Sequence, residues 1–162
     1  MENRLEVLRS EIDKLIMETQ PEKDKFCYTR LFVSHLYGVS HFCALLAVRR
    51  KLNVELAVTC GMLHDIYSLT HDSSKNHAVK GSEQAKSLLI SLNLYTDEEI
   101  DLITAAVSRH SDKDSIHEPY DELLKDADVL SHCFYNPDFA PDSWEVERYK
   151  KLLAELRCNR AE

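Results

Sequence analysis

A chain of 162 residues is the size of one domain with a full hydrophobic core, and 44% apolar residues exclude wholesale disorder. Only 3 Gly and 4 Pro occur, too little turn chemistry for an all-β fold. The formal charge of −8 argues against non-specific nucleic-acid binding, which needs a basic face. A bound metal could still draw in a small anion, because local metal charge overrides net charge.

Helical periodicity runs through the chain. Leu5, Leu8, Ile12, Leu15 and Ile16 share one face of a first helix that ends before Pro21. A longer helix from about Lys25 to Lys51 carries Phe32, Val33, Val39, Leu45, Leu46 and Val48, and its basic tail suits the negative end of the helix dipole. Asn53 is the expected N-cap of a third helix, from Val54 to about Tyr67. That helix is apolar nearly all round and therefore central. Residues 68–75 read as a polar loop. Helix four follows from about Asn76 to Leu92. Helix five opens at Thr96 with Glu99 three residues on, a capping box, and runs to His110. The acidic run Asp97-Glu98-Glu99 complements its N-terminus. A second polar loop, 111–118, leads to Pro119 in the first turn of helix six. Asn136-Pro137 and Pro141 break the chain before a last helix from about Ser143 to Arg157.

The five cysteines, Cys27, Cys43, Cys60, Cys133 and Cys158, form no CxxC pair, and three sit inside apolar helical patterns. That usage suits a reducing compartment. The N-terminus MENRLEVLRSEIDKL is charged throughout, unlike a signal peptide. No apolar run reads as long enough to span a bilayer. The expectation is a cytoplasmic, all-α, single-domain bundle of six to seven helices over 1–162. Its core spans about 26–135, with the terminal helices packed on it. No nucleic-acid or membrane partner is expected, and a homodimer stays open.

The chemistry concentrates at His64-Asp65, at the end of an apolar run. On a helix two adjacent side chains point about 100° apart, so one ion can take a nitrogen from one and an oxygen from the other. Imidazole with carboxylate suits Mn, Fe, Co, Ni or Zn. The candidate ligands in chain order are His35, His64, Asp65, His77, His110 and Asp128, drawn from five helices. Buried Asp is rare unless paired or ligated, yet Asp65 closes the apolar CGMLHD block and Asp128 lies within LLKDADVL. A shared metal satisfies them all.

Four blocks carry a resemblance to a known family: His35-x-x-Gly38-Val39, GMLHDI around His64-Asp65, His77-Ala-x-x-Gly81, and DADVL around Asp128. In this order they resemble the HD-domain superfamily of metal-dependent phosphohydrolases, over about Arg30 to Tyr135. The resemblance implies that His35, His64, Asp65 and Asp128 hold one divalent transition metal. It implies further that Asp65 bridges to a second ion held by His77 and His110. The implied activity is hydrolysis of a nucleotide or other small phosphate ester or anhydride. Alternatives are a di-iron oxygenase of the same fold and a non-catalytic metal- or nucleotide-binding module.

Many members carry a Lys soon after the HD pair. Here the chain reads His64-Asp65-Ile66-Tyr67-Ser68, so another cation must meet the phosphate. Lys80, Arg109 and Arg30 are the candidates, with Asp65, Lys80 and Arg109 in catalytic roles. The remaining histidines have plainer readings: His41 packed or partly exposed, His71 in the loop, His117 at the surface. His132, four residues after Asp128, could reach it through a hydrogen bond. Asp126 is expected to face solvent or to cap an interaction in the neighbourhood of Lys125, and Trp144 to be core or an oligomer contact.

Overall fold

The computed structural model describes residues 3–18, 25–71, 75–135, 138 and 140–157, with the backbone alone over 25–30. Pro21, Cys27, Asn136-Pro137, Cys158 and the side chain of Arg30 fall outside what it describes. Eight α-helices and no strand occur among the described residues. They are α1 (Arg4–Glu18), α2 (Lys25–Arg50), α3 (Val54–Leu63), α4 (Ile66–His71), α5 (His77–Leu92), α6 (Asp97–Arg109), α7 (Pro119–Tyr135) and α8 (Val146–Arg157).

The all-α class is as expected. The helix number rises to eight because the third expected helix divides at His64-Asp65. The His64 ring folds back onto the Gly61 carbonyl, 2.7 Å from Nδ1, and the chain makes a turn before α4 restarts at Ile66. Helix α4 then takes up residues 68–71 of the expected loop, so His71 is helical and stacks on Tyr67 at 4.2 Å. The turn is functional in its consequence: two consecutive side chains leave the helix where five helices converge.

Helix α3 is the axle. Asn53 caps it by accepting from the Glu55 and Leu56 N–H groups, and every residue from Leu56 to Leu63 is buried. It packs against α1, α2, α5, α6 and α7. Gly61 permits the tightest of these approaches, because a Cβ there would lie 2.7 Å from the Ser40 Cα of α2. Gly38 does the same between α2 and α7, where a Cβ would meet Ser131 Oγ at 2.8 Å.

One expectation about α2 is amended. Leu31–Arg50 is long and apolar enough, by length and composition, to cross a bilayer. In the fold it is a core helix. Leu36, Val39, Cys43, Leu46 and Ala47 are fully buried, and α2 packs most extensively on α3 and α7. A core helix meets the same length and composition criteria as a membrane span.

Helix α8 is fastened to α7 by charge. Asp126 is buried and accepts from Arg50 at 2.7 Å and Arg148 at 2.6 Å, which overturns its expected solvent-facing role. Lys125 is fully buried and holds the 111–118 loop. Its ammonium donates to the Ser115 carbonyl (2.9 Å) and to Glu122 (2.8 Å), and lies 2.7 Å from His117 Nδ1. His117 therefore caps a buried cation rather than serving only as a surface residue. An isolated buried ammonium is too costly to retain its charge, so these three partners account for the loop's conformation.

Candidate metal centre

Five helices aim their donors at one point. His35 comes from mid-α2, and His64 and Asp65 from the α3–α4 turn. His77 is the first residue of α5, His110 follows the end of α6, and Asp128 is mid-α7. All six predicted ligands are brought together and fall into overlapping groups. His35, His64 and Asp65 form one group; Asp65, His77 and His110 form another; His35, Asp128 and His132 form a third.

The hydrogen bonds fix which atoms face inward. His64 Nδ1–H donates to the Gly61 carbonyl and His110 Nδ1–H to the Val107 carbonyl, each at 2.7 Å. A carbonyl only accepts, so these rings carry their proton on Nδ1 and present a bare Nε2. His64 Nε2 lies 3.1 Å from His35 Nε2, and His110 Nε2 lies 3.0 Å from His77 Nε2. Each pair stands at hydrogen-bonding distance, so either a ring proton donated from one nitrogen to the other or a metal ion fits between them.

Asp65 divides its oxygens between the two pairs. Oδ2 lies 3.9 Å from His35 Nε2 and 3.6 Å from His64 Nε2. Oδ1 lies 3.4 Å from His77 Nε2 and 3.6 Å from His110 Nε2. That Oδ1 is buried without a hydrogen-bond partner, a costly state for a carboxylate oxygen unless a cation completes it. Ligand bonds of about 2.1 Å to one tetrahedral ion put its donors about 3.4 Å apart, close to these separations. The donor set fits divalent transition metals, and each Asp65 oxygen faces one pair of histidines.

The electrostatics agree. Burial, reinforced by His64, pulls His35 down to about 4, so the ring is neutral at pH 7 and free to ligate. Burial also lowers His64. For the acids, burial favours the protonated form, but the neighbours prevail. His64 and His110 hold Asp65 below the ordinary carboxylate range, and Lys113, His64, His132 and His35 do the same for Asp128.

Around this cluster opens a cavity of about 390 Å³, with Ser111, Lys113, Asp114 and Trp144 on its wall. Neither Lys80 nor Arg109 lines it. Lys80 donates to the Tyr67 hydroxyl at 2.9 Å, and Arg109 pairs with the buried Asp121 at 2.8 Å. Among the described residues the lysine that lines the cavity is Lys113, which the sequence reading passed over. Its ammonium donates to the His110 carbonyl (2.7 Å) and to Asp128 Oδ2 (2.5 Å), leaving Asp128 Oδ1 turned to His35 at 3.4 Å. His132 Nε2 stands 3.6 Å from Asp128 Oδ1, outside hydrogen-bonding distance, and its ring stacks on His35 at 4.8 Å. Its Nδ1 lies 2.9 Å from the buried Glu145, a partner sequence reasoning missed. The Asp142-x-x-Glu145 capping-box spacing was the one available signal for Glu145. Nothing local marks Lys113.

Comparison with known proteins places this geometry in a family. The HD domain model matches residues 32–132, which bracket all six ligands, and the chain belongs to the HD domain family. An uncharacterised protein of Clostridium beijerinckii is 34% identical over 132 residues, spanning 78% of this chain and 81% of that protein. Ribonuclease Y of Protochlamydia amoebophila is 34% identical over 67 residues, 41% of this chain and 13% of that protein. The crystal structure of a predicted HD superfamily hydrolase from an uncultured Thermotogales bacterium shares the fold. Its TM-score is 0.61 at 20% identity, over 95% of each chain.

Proposed function

We propose that this protein is a metal-dependent phosphohydrolase acting on a nucleotide or another small phosphate ester or anhydride. The observation that carries the reading is Asp65: a partly buried carboxylate whose Oδ1 is buried without a hydrogen-bond partner, each oxygen facing its own pair of histidines. His35, His64, Asp65 and Asp128 would hold one ion, and Asp65, His77 and His110 a second. Divalent metals at such a site lower the pKa of bound water and neutralise phosphoryl charge.

The chain's own groups do the rest. The Gly61 and Val107 carbonyls lock the His64 and His110 tautomers, so Nε2 is presented without rearrangement. Asp128 is oriented by Lys113 through one oxygen and presents the other to the cluster. Lys113 also stands on the cavity wall, where its ammonium can meet a phosphate oxygen as a point charge. Lys113 thereby takes the part first assigned to Lys80 or Arg109.

Elemental analysis of the purified protein tests this, with wild type beside His77→Ala/His110→Ala. Two equivalents of transition metal should fall to one in the double variant, and the loaded wild type should release phosphate under anaerobic conditions. Metal-free protein after reconstitution would overturn the reading. Iron with an absolute oxygen requirement would replace it with the oxygenase chemistry.

A further inference from the structure

Trp144 is the one tryptophan of the chain and stands on the wall of the cavity that the His/Asp cluster lines. Its side chain is half exposed (51%). The segment that bears it is nonetheless fixed. Glu145, the next residue, is buried and grips the structure at two points. Its Oε2 accepts from the Asp142 N–H at 3.1 Å, as the acid of a capping box does, and its Oε1 lies 2.9 Å from His132 Nδ1. The fold thus holds a large apolar ring in solvent beside the cluster, in place of burying it.

The surroundings say what such a ring could meet. Lys113 Nζ lies 5.9 Å from the Trp144 ring centroid, and the same ammonium bonds Asp128. One cation therefore links the indole to the metal ligands. Trp144 and Lys113 also line an adjoining groove of about 450 Å³. The two arginines there, Arg50 and Arg148, are already held by Asp126, Glu122 and Glu155. Lys113 is likewise held, by Asp128 and the His110 carbonyl, but of the groove's described cations, Arg50, Lys113, Arg148 and Lys151, it is the one that also lines the cavity around the cluster. A bare phosphate or an aliphatic phosphate ester would leave the indole unused. A phosphate joined through a sugar-sized spacer to a planar ring would use all three features.

We propose that Trp144 is the specificity platform of the site, on which a heteroaromatic ring of the substrate stacks while its phosphate lies against Lys113 and the His/Asp cluster. The phosphate half of this statement rests on the phosphohydrolase reading; the stacking half does not. Base–indole stacking is tolerant of base identity, because every base presents a π-face. The platform therefore selects nucleotides over sugar phosphates without choosing strongly among the bases.

The test compares adenosine 5′-monophosphate with ribose 5-phosphate on metal-loaded wild type, Trp144→Leu and Trp144→Phe. The wild-type ratio of kcat/KM values should favour the nucleotide by roughly tenfold or more, fall about tenfold in Trp144→Leu, and recover largely in Trp144→Phe. A ratio that is unchanged in Trp144→Leu overturns the proposal. The sole tryptophan gives a second reading independent of turnover. Its emission should be quenched saturably by adenosine 5′-monophosphate and left alone by ribose 5-phosphate; equal responses, or none, overturn the stacking. If wild type hydrolyses neither compound, the phosphohydrolase reading fails, and the fluorescence titration still decides the platform.

Discussion

Asp65 concentrates the energetics of the site in one carboxylate. Its replacement by Ala removes the one group among the described residues that faces both histidine pairs, while the helix-to-helix packing around the turn is left in place. Asp65→Ala should therefore lose hydrolysis by a factor on the order of 10³ or more and retain wild-type helical content by circular dichroism. Full activity in that variant would remove Asp65 from the mechanism. His35 makes a second prediction, for the metal-free protein. Its folded-state value of about 4 lies below the ordinary histidine value. Between those two the unfolded chain binds more protons than the folded one, so stability falls as pH drops from about 6.5 to 4. The loss from this ring is on the order of 2–3 kcal/mol. The depressed carboxylates, Asp65 and Asp128, add a further loss only below about pH 4. Urea unfolding across this range should show the slope, and His35→Gln should flatten it.

At the scale of elements, the close crossings decide what the helices tolerate. An alanine inside a helix is worth roughly 1 kcal/mol over glycine from backbone entropy alone. At Gly61 that gain is outweighed, because the new Cβ would meet backbone of α2 at 2.7 Å and force α3 away from it. Overpacking of this kind costs roughly 1–3 kcal/mol, so Gly61→Ala should be destabilising overall. At Gly81 of α5 the nearest atom to a new Cβ is the His64 carbonyl oxygen at 3.5 Å, an ordinary contact. Gly81→Ala should then be neutral or stabilising by up to about 1 kcal/mol. Denaturant midpoints for the two variants should move in opposite directions or at least separate clearly.

Over the whole molecule, the donors tie together segments remote in sequence, from His35 to Asp128. An ion bound by all of them stabilises the native state and not the unfolded chain. At a free-ion concentration 100-fold above its dissociation constant, one ion adds about 2.7 kcal/mol, which for a chain of this length is roughly 5–10 °C in Tm. Thermal unfolding with a chelator and with added Mn or Zn should show that rise, smaller in His77→Ala/His110→Ala. An unchanged Tm would mean that the cluster takes no ion.

The sequence by itself determined most of the helices and named the candidate donors that the fold gathers. Helical period, the Asn53 cap and the Thr96–Glu99 capping box are local signals, and each stands in the structure as read. The acids within apolar helical runs marked the centre, because burial of a carboxylate demands a partner wherever the helix packs. The tertiary structure alone decided which described cation lines the cavity and what stands at its mouth. Lys80, Arg109 and Lys113 are equivalent as residue types. Their roles separated because Tyr67 and Asp121 claim the first two and Asp128 draws the third inward. Asp126 and His117 were misread for the same reason: their partners, Arg148 and Lys125, meet them through packing that no periodicity records. Local preference follows from a residue and its near neighbours in the chain; the pairing of charges depends on which helices cross, and that is settled only when the core closes.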